Sequence, residues 1–373
     1  MKLLYIMNKI NGRGGLNRIA FDKINYLINE YEIEVIFYGS HDTQPFYEVD
    51  KRVRFHNIDI DALASFSKKF KNTYHVFTKY KHLLKIIKPD IIINMNTNIL
   101  SWIIPFCHKQ TPKIIELHQS YDGVRIFNEK AYGKNNWKSK FSIFLRNMIY
   151  PLYDKVIVLT HTDMKKWGYK NTDVIPNFTN IQQATKVNVE SHKFIWIGRL
   201  SHQKGIDLLL QIWEDFLKKE SDWSLILIGN SSEPNNPIKK QLINYITCNK
   251  NNKIEYIEET SEIMKYYNNA SIYLSTSRYE GLPLCLVEAA TMGKPIIGFD
   301  ITGNDEVIEN NVNGVLIQPY EIKSYITAME ELSTDQLKRT MFGKSSIEKS
   351  KVFNKKEIMT KWTTLFNNLI FQR

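Results

Sequence analysis

The sequence predicts an α/β protein of two Rossmann-like domains with parallel sheets, and three observations carry that expectation. Ile272-Tyr-Leu, a polar loop, an apolar run through Ala290 and then Ile296-Ile297 read as strand, loop, helix and strand, the unit from which parallel sheets are built. A second such unit spans 194–228, where Phe194-Ile-Trp-Ile precedes a loop, an amphipathic segment and another apolar run. Finally, 373 residues with 43% hydrophobic content suffice for two cores.

In chain order, Leu3-Leu-Tyr-Ile-Met7 is too short for a signal peptide and reads as the first strand. Asn11-Gly-Arg-Gly14-Gly15 makes a flexible turn, after which Leu16, Ile19, Ala20, Ile24 and Leu27 recur at helical spacing. A glycine-rich turn between strand and helix is a ready anion site, although this one has neither the full G-x-G-x-x-G nor the Walker pattern. Further strands are expected at 33–38, in Pro89-Asp-Ile-Ile-Ile-Asn94, in Lys113-Ile-Ile-Glu-Leu-His118 and in Lys155-Val-Ile-Val-Leu-Thr160. His118 ends its apolar run and is expected at a strand's carboxyl edge, with Asp122 and Arg125 as weaker candidates beyond it. Pro176-Asn177 and the polar residues to about 190 read as an interdomain linker. The domains are therefore placed at 1–180 and 181–354, with a last helix at 355–373.

The second domain opens with Phe194-Ile-Trp-Ile-Gly198-Arg199 and continues to Lys204-Gly205. Arginine offers a bidentate fork and lysine a point charge, a combination suited to a diphosphate. Residues 253–257 give another strand, ending at Ile257. In Glu280-Gly-Leu-Pro283-Leu-Cys-Leu-Val-Glu288, Glu280 stands exposed before a helix whose first turn holds Pro283 and whose end is Gly293. Backbone amides near Gly281, Leu282, Pro283 and Leu284, with the helix dipole, favour a phosphate. Glu288, one turn on, is placed to accept hydrogen bonds from a ribose. A carboxylate for a sugar, amides for a diphosphate and a carboxylate for a ribose describe a nucleotide-sugar site. Two glutamates at that spacing are commonplace on solvated helices, so the flanking residues give the pair its meaning. Thr302-Gly-Asn-Asp-Glu306 is assigned no role.

With those flanks, Glu280-Gly-Leu-Pro, Glu288-Ala and Gly293-Lys-Pro resemble the donor-site signature of retaining glycosyltransferases of family 4, and Gly198-Arg-x4-Lys-Gly205 resembles their diphosphate loop. The resemblance covers nearly the whole chain, with its specific motifs concentrated in the second domain. It implies the GT-B fold, in which the two parallel sheets face across a cleft. It implies transfer from a nucleotide-sugar, UDP-linked in preference to GDP-linked, to a hydroxyl of a glycan or lipid-linked acceptor in cell-surface polysaccharide assembly. Gly14 and Gly15 would then close over the donor phosphates, His118 would contact the donor sugar, and the turn after Ile257 would reach the nucleobase. The catalytic set becomes His118, Arg199, Lys204 and Glu280. Donor binding falls to Gly14, Gly15, Gly198, Arg199, Lys204, Ile257, Glu280, Gly281, Leu282, Pro283, Leu284 and Glu288. The last helix is expected to cross back onto the first domain. No cofactor and no metal are implied, and Asp59-Ile-Asp61, which has the form of a metal-binding D-x-D, reads as a decoy.

The net charge of +11 resides wholly in residues 1–180, which carry 27 Lys and Arg against 16 Asp and Glu, while the rest balances at 23 of each. That asymmetry suits an anionic partner for one domain. Basic amphipathic stretches at 62–88 and 138–152 fit anionic lipid, though a packed helix with solvated lysines would look the same. Nucleic acid is not expected, because no RNP, helix-turn-helix or finger signature is present. No run of eighteen apolar residues predicts a spanning helix. Three scattered cysteines fit a reducing cytosol, so a cytoplasmic protein peripheral to the inner face of the plasma membrane is expected. A sugar-nucleotide epimerase, a non-catalytic nucleotide-sugar-binding protein and a basic nucleic-acid binder remain the rival readings.

Overall fold

The computed structural model describes every residue except 39–42, 59–65, 98, 134–135, 220–221, 232, 234 and 372–373. Asp59 and Asp61 lie outside the described residues, as do the side chains of Phe66, Lys68, Lys69, Phe70 and Lys71. The chain forms two compact units, Met1–Pro176 with Lys356–Arg373, and Asn177–Lys355.

Among the described residues the first unit holds seven parallel strands: β1 (Lys2–Ile6), β2 (Glu32–Phe37), β3 (Arg54–Asn57), β4 (Ile91–Asn94), β5 (Lys113–Leu117), β6 (Lys155–Val158) and β7 (Thr172–Val174). Their order is β3-β2-β1-β4-β5-β6-β7. Leu3, Leu4, Ile92, Ile93, Ile114 and Ile115 are fully buried, as continuous apolar strands covered on both faces must be. The order reverses between β1 and β4, so the carboxyl ends of those strands flank a topological switch point. Helix Gly15–Leu27 buries Ile19, Ala20, Phe21, Ile24 and Leu27 at helical spacing. Helix Lys355–Phe371 also packs here, burying Trp362 and Phe366, the latter edge-on to Tyr31 with ring centroids 5.8 Å apart.

Two basic helices of this unit differ. In Phe66–Ile87 the described residues Val76, Tyr80, Leu84 and Ile87 are buried, so that apolar face is spent on the core. In Trp137–Ile149 the face carrying Trp137, Phe141, Phe144 and Met148 is exposed, with Leu152 beyond it and Phe127 on the preceding helix exposed as well.

Among the described residues the second unit holds six parallel strands: β8 (Lys193–Ile197), β9 (Ser224–Ile228), β10 (Ile254–Ile257), β11 (Ile272–Ser275), β12 (Ile296–Phe299) and β13 (Gly314–Ile317). The order β10-β9-β8-β11-β12-β13 puts its reversal between β8 and β11. Helix Ile206–Leu217 buries Ile206, Leu209, Leu210, Trp213 and Phe216 against the sheet. Each such side chain contributes roughly 1.5–3 kcal/mol by leaving water. Residues 177–190, polar enough to read as a linker, are strapped to this unit by two buried cations. Lys294 Nζ donates to the carbonyls of Asn188 and Ala270, both at 2.7 Å, and Arg339 Nε donates to that of Val189 at 3.0 Å. Among the described residues no helix is long and apolar enough to cross a membrane.

Candidate functional site

The loops leaving β8 and β11 flank the switch point of the second sheet, the place where ligands of such sheets bind. They touch backbone to backbone. Gly205 has φ +66°, and a Cβ there would fall 2.1 Å from the carbonyl oxygen of Thr276, so only glycine fits. The Thr276 hydroxyl donates to the Lys204 carbonyl (3.1 Å), the Arg278 amide donates to the Gln203 carbonyl (2.8 Å), and the Gln203 side chain donates to the Tyr279 carbonyl (3.0 Å). Arg278 clamps the loops from outside with a bidentate pair to Asp207 at 2.9 and 2.6 Å. Gly303 closes the arrangement: with φ +94°, a Cβ on it would lie 2.4 Å from the Gly281 carbonyl oxygen. The segment left without a role thus packs directly beneath the Glu280 loop.

Glu280 is not exposed, as the sequence led us to expect, but 6% accessible. The loop after β8 folds over it: Lys204 Nζ lies 2.6 Å from Oε1, and the Gln203 amide donates to Oε2 at 3.2 Å. Burial works against the Lys204 ammonium, but the adjacent Glu280 carboxylate more than offsets it and holds the lysine above its ordinary pKa. Arg199 beside this pair is exposed. Gly198 leaves room for its neighbours, since a Cβ would meet the Trp196 ring at 3.1 Å and the Lys204 chain at 3.3 Å.

Helix Leu284–Thr291 begins one residue later than the sequence suggests, with Pro283 extended at the N-cap (φ −73°, ψ 117°) rather than inside the first turn. Proline's missing N–H is harmless at either position. Gly293, at φ +65°, ends the helix in the left-handed conformation expected of it. Gly281, Leu282 and Pro283 are buried, and Leu284 is half-buried. Glu288 is buried too, and the Tyr267 hydroxyl donates to its Oε2 at 3.2 Å and to the Cys285 carbonyl at 2.9 Å. Burial, then the Glu288 charge, pushes the Tyr267 phenol well above its ordinary pKa. The Ile257 carbonyl is taken by the Gly229 amide at 2.9 Å. Arg199, Lys204, Glu280, Glu288 and Ile257 therefore gather around the carboxyl ends of β8, β10 and β11.

In the first unit, Gly14 caps helix Gly15–Leu27 with open space around it, next to a cavity of about 150 Å³ lined by Met7, Asn8, Lys9, Gly12, Leu16, Asn17 and Met95. His118 follows the last residue of β5, mostly buried, with Nε2 3.2 Å from Glu116 Oε2. The weaker candidates are engaged with neighbours: Asp122 pairs with Lys166 at 2.5 Å, and Arg125 reaches Glu129 at 3.5 Å. Gln203, Tyr267, Arg278 and Gly303 were missed, because each acts through a partner far away in sequence.

Residues 13–183 match the family described as Glycosyltransferase Family 4, and residues 177–349 match that described as Glycosyl transferases group 1. The chain is 25% identical over 392 residues to the amylovoran biosynthesis glycosyltransferase AmsD of Erwinia amylovora, covering 98% of this chain and 99% of that protein. Among solved structures, sucrose-phosphate synthase from Thermosynechococcus elongatus superposes with a TM-score of 0.79 at 16% identity over 100% of both chains. HepE of Anabaena, solved in complex with UDP-glucose, superposes with a TM-score of 0.75 at 16% identity over 99% of this chain and 100% of its own. The fold is GT-B.

Proposed function

The chain belongs to glycosyltransferase family 4, and from that premise we propose that it moves a sugar from a UDP-sugar, in preference to a GDP-sugar, to a hydroxyl of a glycan or lipid-linked acceptor with retention at the anomeric carbon. The observation that carries the reading is the buried Lys204–Glu280 pair beside the exposed Arg199 at the switch point of the second sheet. The UDP preference draws support from HepE, which was solved with UDP-glucose. Polysaccharide assembly draws support from AmsD, whose name places it in amylovoran biosynthesis.

A departing nucleoside diphosphate makes electrostatic stabilisation the main catalytic task. Lys204 uses one of its three donors on Glu280 and keeps the others for the phosphate. Arg199 supplies a fork, and the amides around Gly281, Leu282 and Leu284, in the turn that Pro283 shapes, take the remaining oxygens. Glu280, held in place by Lys204 and Gln203, accepts from the sugar hydroxyls, Glu288 accepts from the ribose, and backbone beyond Ile257 meets the base. Gly14 and Gly15 are assigned to the donor phosphates, and His118 to the donor sugar. With Glu280 already committed to Lys204 and Gln203, retention is assigned to same-face attack through a short-lived ion pair rather than to a covalent intermediate. These cations and amides supply the positive charge, so the reaction is expected to proceed without metal.

The first unit carries the acceptor and, with its basic excess, touches anionic membrane from the cytoplasmic side. The exposed Trp137, Phe141, Phe144, Met148 and Leu152, alongside exposed Lys138 and Lys140, support that part of the reading. The test is nucleotide release from UDP-glucose, UDP-galactose, UDP-N-acetylglucosamine and GDP-mannose, with and without EDTA, in the presence of a bacterial lipid-linked saccharide extract. Release from one UDP-sugar, insensitive to EDTA, with an α-linked product is expected. An epimerised sugar-nucleotide with no nucleotide released would replace this reading with the epimerase.

A further inference from the structure

Behind His118 a chain of buried charges runs from β5 to the last helix. Glu116, 2% exposed and in the interior of β5, offers Oε2 to His118 Nε2 at 3.2 Å and Oε1 to Lys23 Nζ at 2.5 Å. Lys23, 3% exposed on helix Gly15–Leu27, lies 3.9 Å from the centre of the Trp362 ring and 5.5 Å from that of Tyr5. Trp362 comes from helix Lys355–Phe371, at the far end of the sequence. Two buried charges are expensive, and they are kept here where two apolar side chains would have packed as well. The cost points to a use beyond packing.

We propose that Glu116 and Lys23 are positioning residues that hold the His118 ring in one tautomer, with the proton on Nε2 and Nδ1 left as an acceptor for a hydroxyl of the donor sugar. An ionised carboxylate can only accept, so the nitrogen it faces must carry the hydrogen, and in the neutral ring the second nitrogen is then the acceptor. Burial alone would raise the Glu116 pKa, but the Lys23 ammonium and the bond from His118 more than offset it and keep the acid ionised. Trp362 caps the ammonium with its ring face, so the last helix helps to seat a residue three contacts away from the sugar. The inference rests on the assignment of His118 to the donor sugar given above.

The test is ¹⁵N NMR of the full chain with labelled histidine, ligand-free at pH 8, the His118 signals among nine histidines being identified by their loss in His118→Gln. The Nε2–H form should exceed the Nδ1–H form by about tenfold or more, the preference one charge-assisted hydrogen bond gives. Lys23→Met/Glu116→Met replaces the ion pair with apolar side chains of similar length, a change buried pairs tolerate. In that variant the folded chain should show a mixture of the two forms. An Nδ1–H form or a mixture in the wild type would overturn the proposal, as would an unchanged Nε2–H signal in the double variant. If the tautomer behaves as proposed but His118→Ala releases nucleotide from the donor at the wild-type rate, the assignment of His118 to the sugar fails and the network stands.

Discussion

Lys204 Nζ lies 2.6 Å from Oε1 of Glu280, joining the loop after β8 to the loop after β11 through a nearly dry ion pair. Neither residue tolerates loss of its partner, because the survivor would be a buried, unpaired charge. Lys204→Met and Glu280→Met should each lower the unfolding free energy of the second unit by about 3–5 kcal/mol, and the double variant by much less. Transfer should fall by about 10²–10³-fold for Lys204→Met and stay low in the double variant, so chemical denaturation and nucleotide release together separate stability from chemistry.

Gly205→Ala should be among the most damaging small substitutions in the second unit. It forces an L-residue to φ +66° and drives a Cβ to within 2.1 Å of the Thr276 carbonyl oxygen, so the loops must part. A loss of about 1–3 kcal/mol from strain alone is expected, with a larger fall in nucleotide affinity, measured by thermal melting and calorimetric titration. Gly14→Ala, with open space around that residue and no positive φ, should leave the melting temperature within about 1 °C.

How much of this was legible beforehand depended on whether the signal was local. The strands of both sheets, the Gly198–Gly205 loop and the cap at Gly293 all show in short windows, because apolar runs and left-handed turns are properties of neighbouring residues. Burial of Glu280 was not legible, since it depends on Lys204, which is seventy-six positions upstream. Tyr267 lies in an undistinguished polar helix and becomes interesting only when its hydroxyl is found on Glu288. Basic helices were ambiguous for the same reason: Phe66–Ile87 and Trp137–Ile149 have similar composition, and only packing tells which apolar face is covered.

Lys294 makes the stability of the second unit depend on alkaline pH. Burial lowers its pKa to about 8 from an ordinary 10.5. Between those values the unfolded chain binds a proton that the folded one does not, so stability rises with pH across that window, by about 3 kcal/mol in all. Below pH 8 both states are protonated and the contribution is flat. Subtracting the profile of Lys294→Met from that of the wild type isolates the term, and a difference that falls from pH 8 to 10.5 would contradict it.

The exposed stripe on Trp137–Ile149 predicts binding to anionic vesicles. Phe141→Asp/Phe144→Asp removes two apolar anchors and adds repulsion without touching the core, since both rings are at least half exposed. Flotation with phosphatidylglycerol vesicles should fall at least tenfold for this variant while its melting temperature is retained. Equal binding of the wild type to neutral and anionic vesicles would count against the membrane reading.

Trp362→Ala should destabilise the first unit by about 3–5 kcal/mol, because it removes a buried indole and the ring face against which Lys23 rests. Trp362→Phe, which keeps a ring there, should recover most of that loss in urea denaturation.

The measurement that bears most directly on the central claim is a thermal-shift panel of UDP, GDP, ADP and their sugars on the wild type and Glu288→Ala. A ligand bound only by the folded state adds about 2.7 kcal/mol at a hundredfold excess over its dissociation constant, a shift of several degrees. The account predicts that UDP and one UDP-sugar raise the wild-type melting temperature and that Glu288→Ala, still folded though with a lower melting temperature of its own, loses the shift. A wild type that responds to no nucleotide, or a Glu288→Ala variant that responds undiminished, would contradict it.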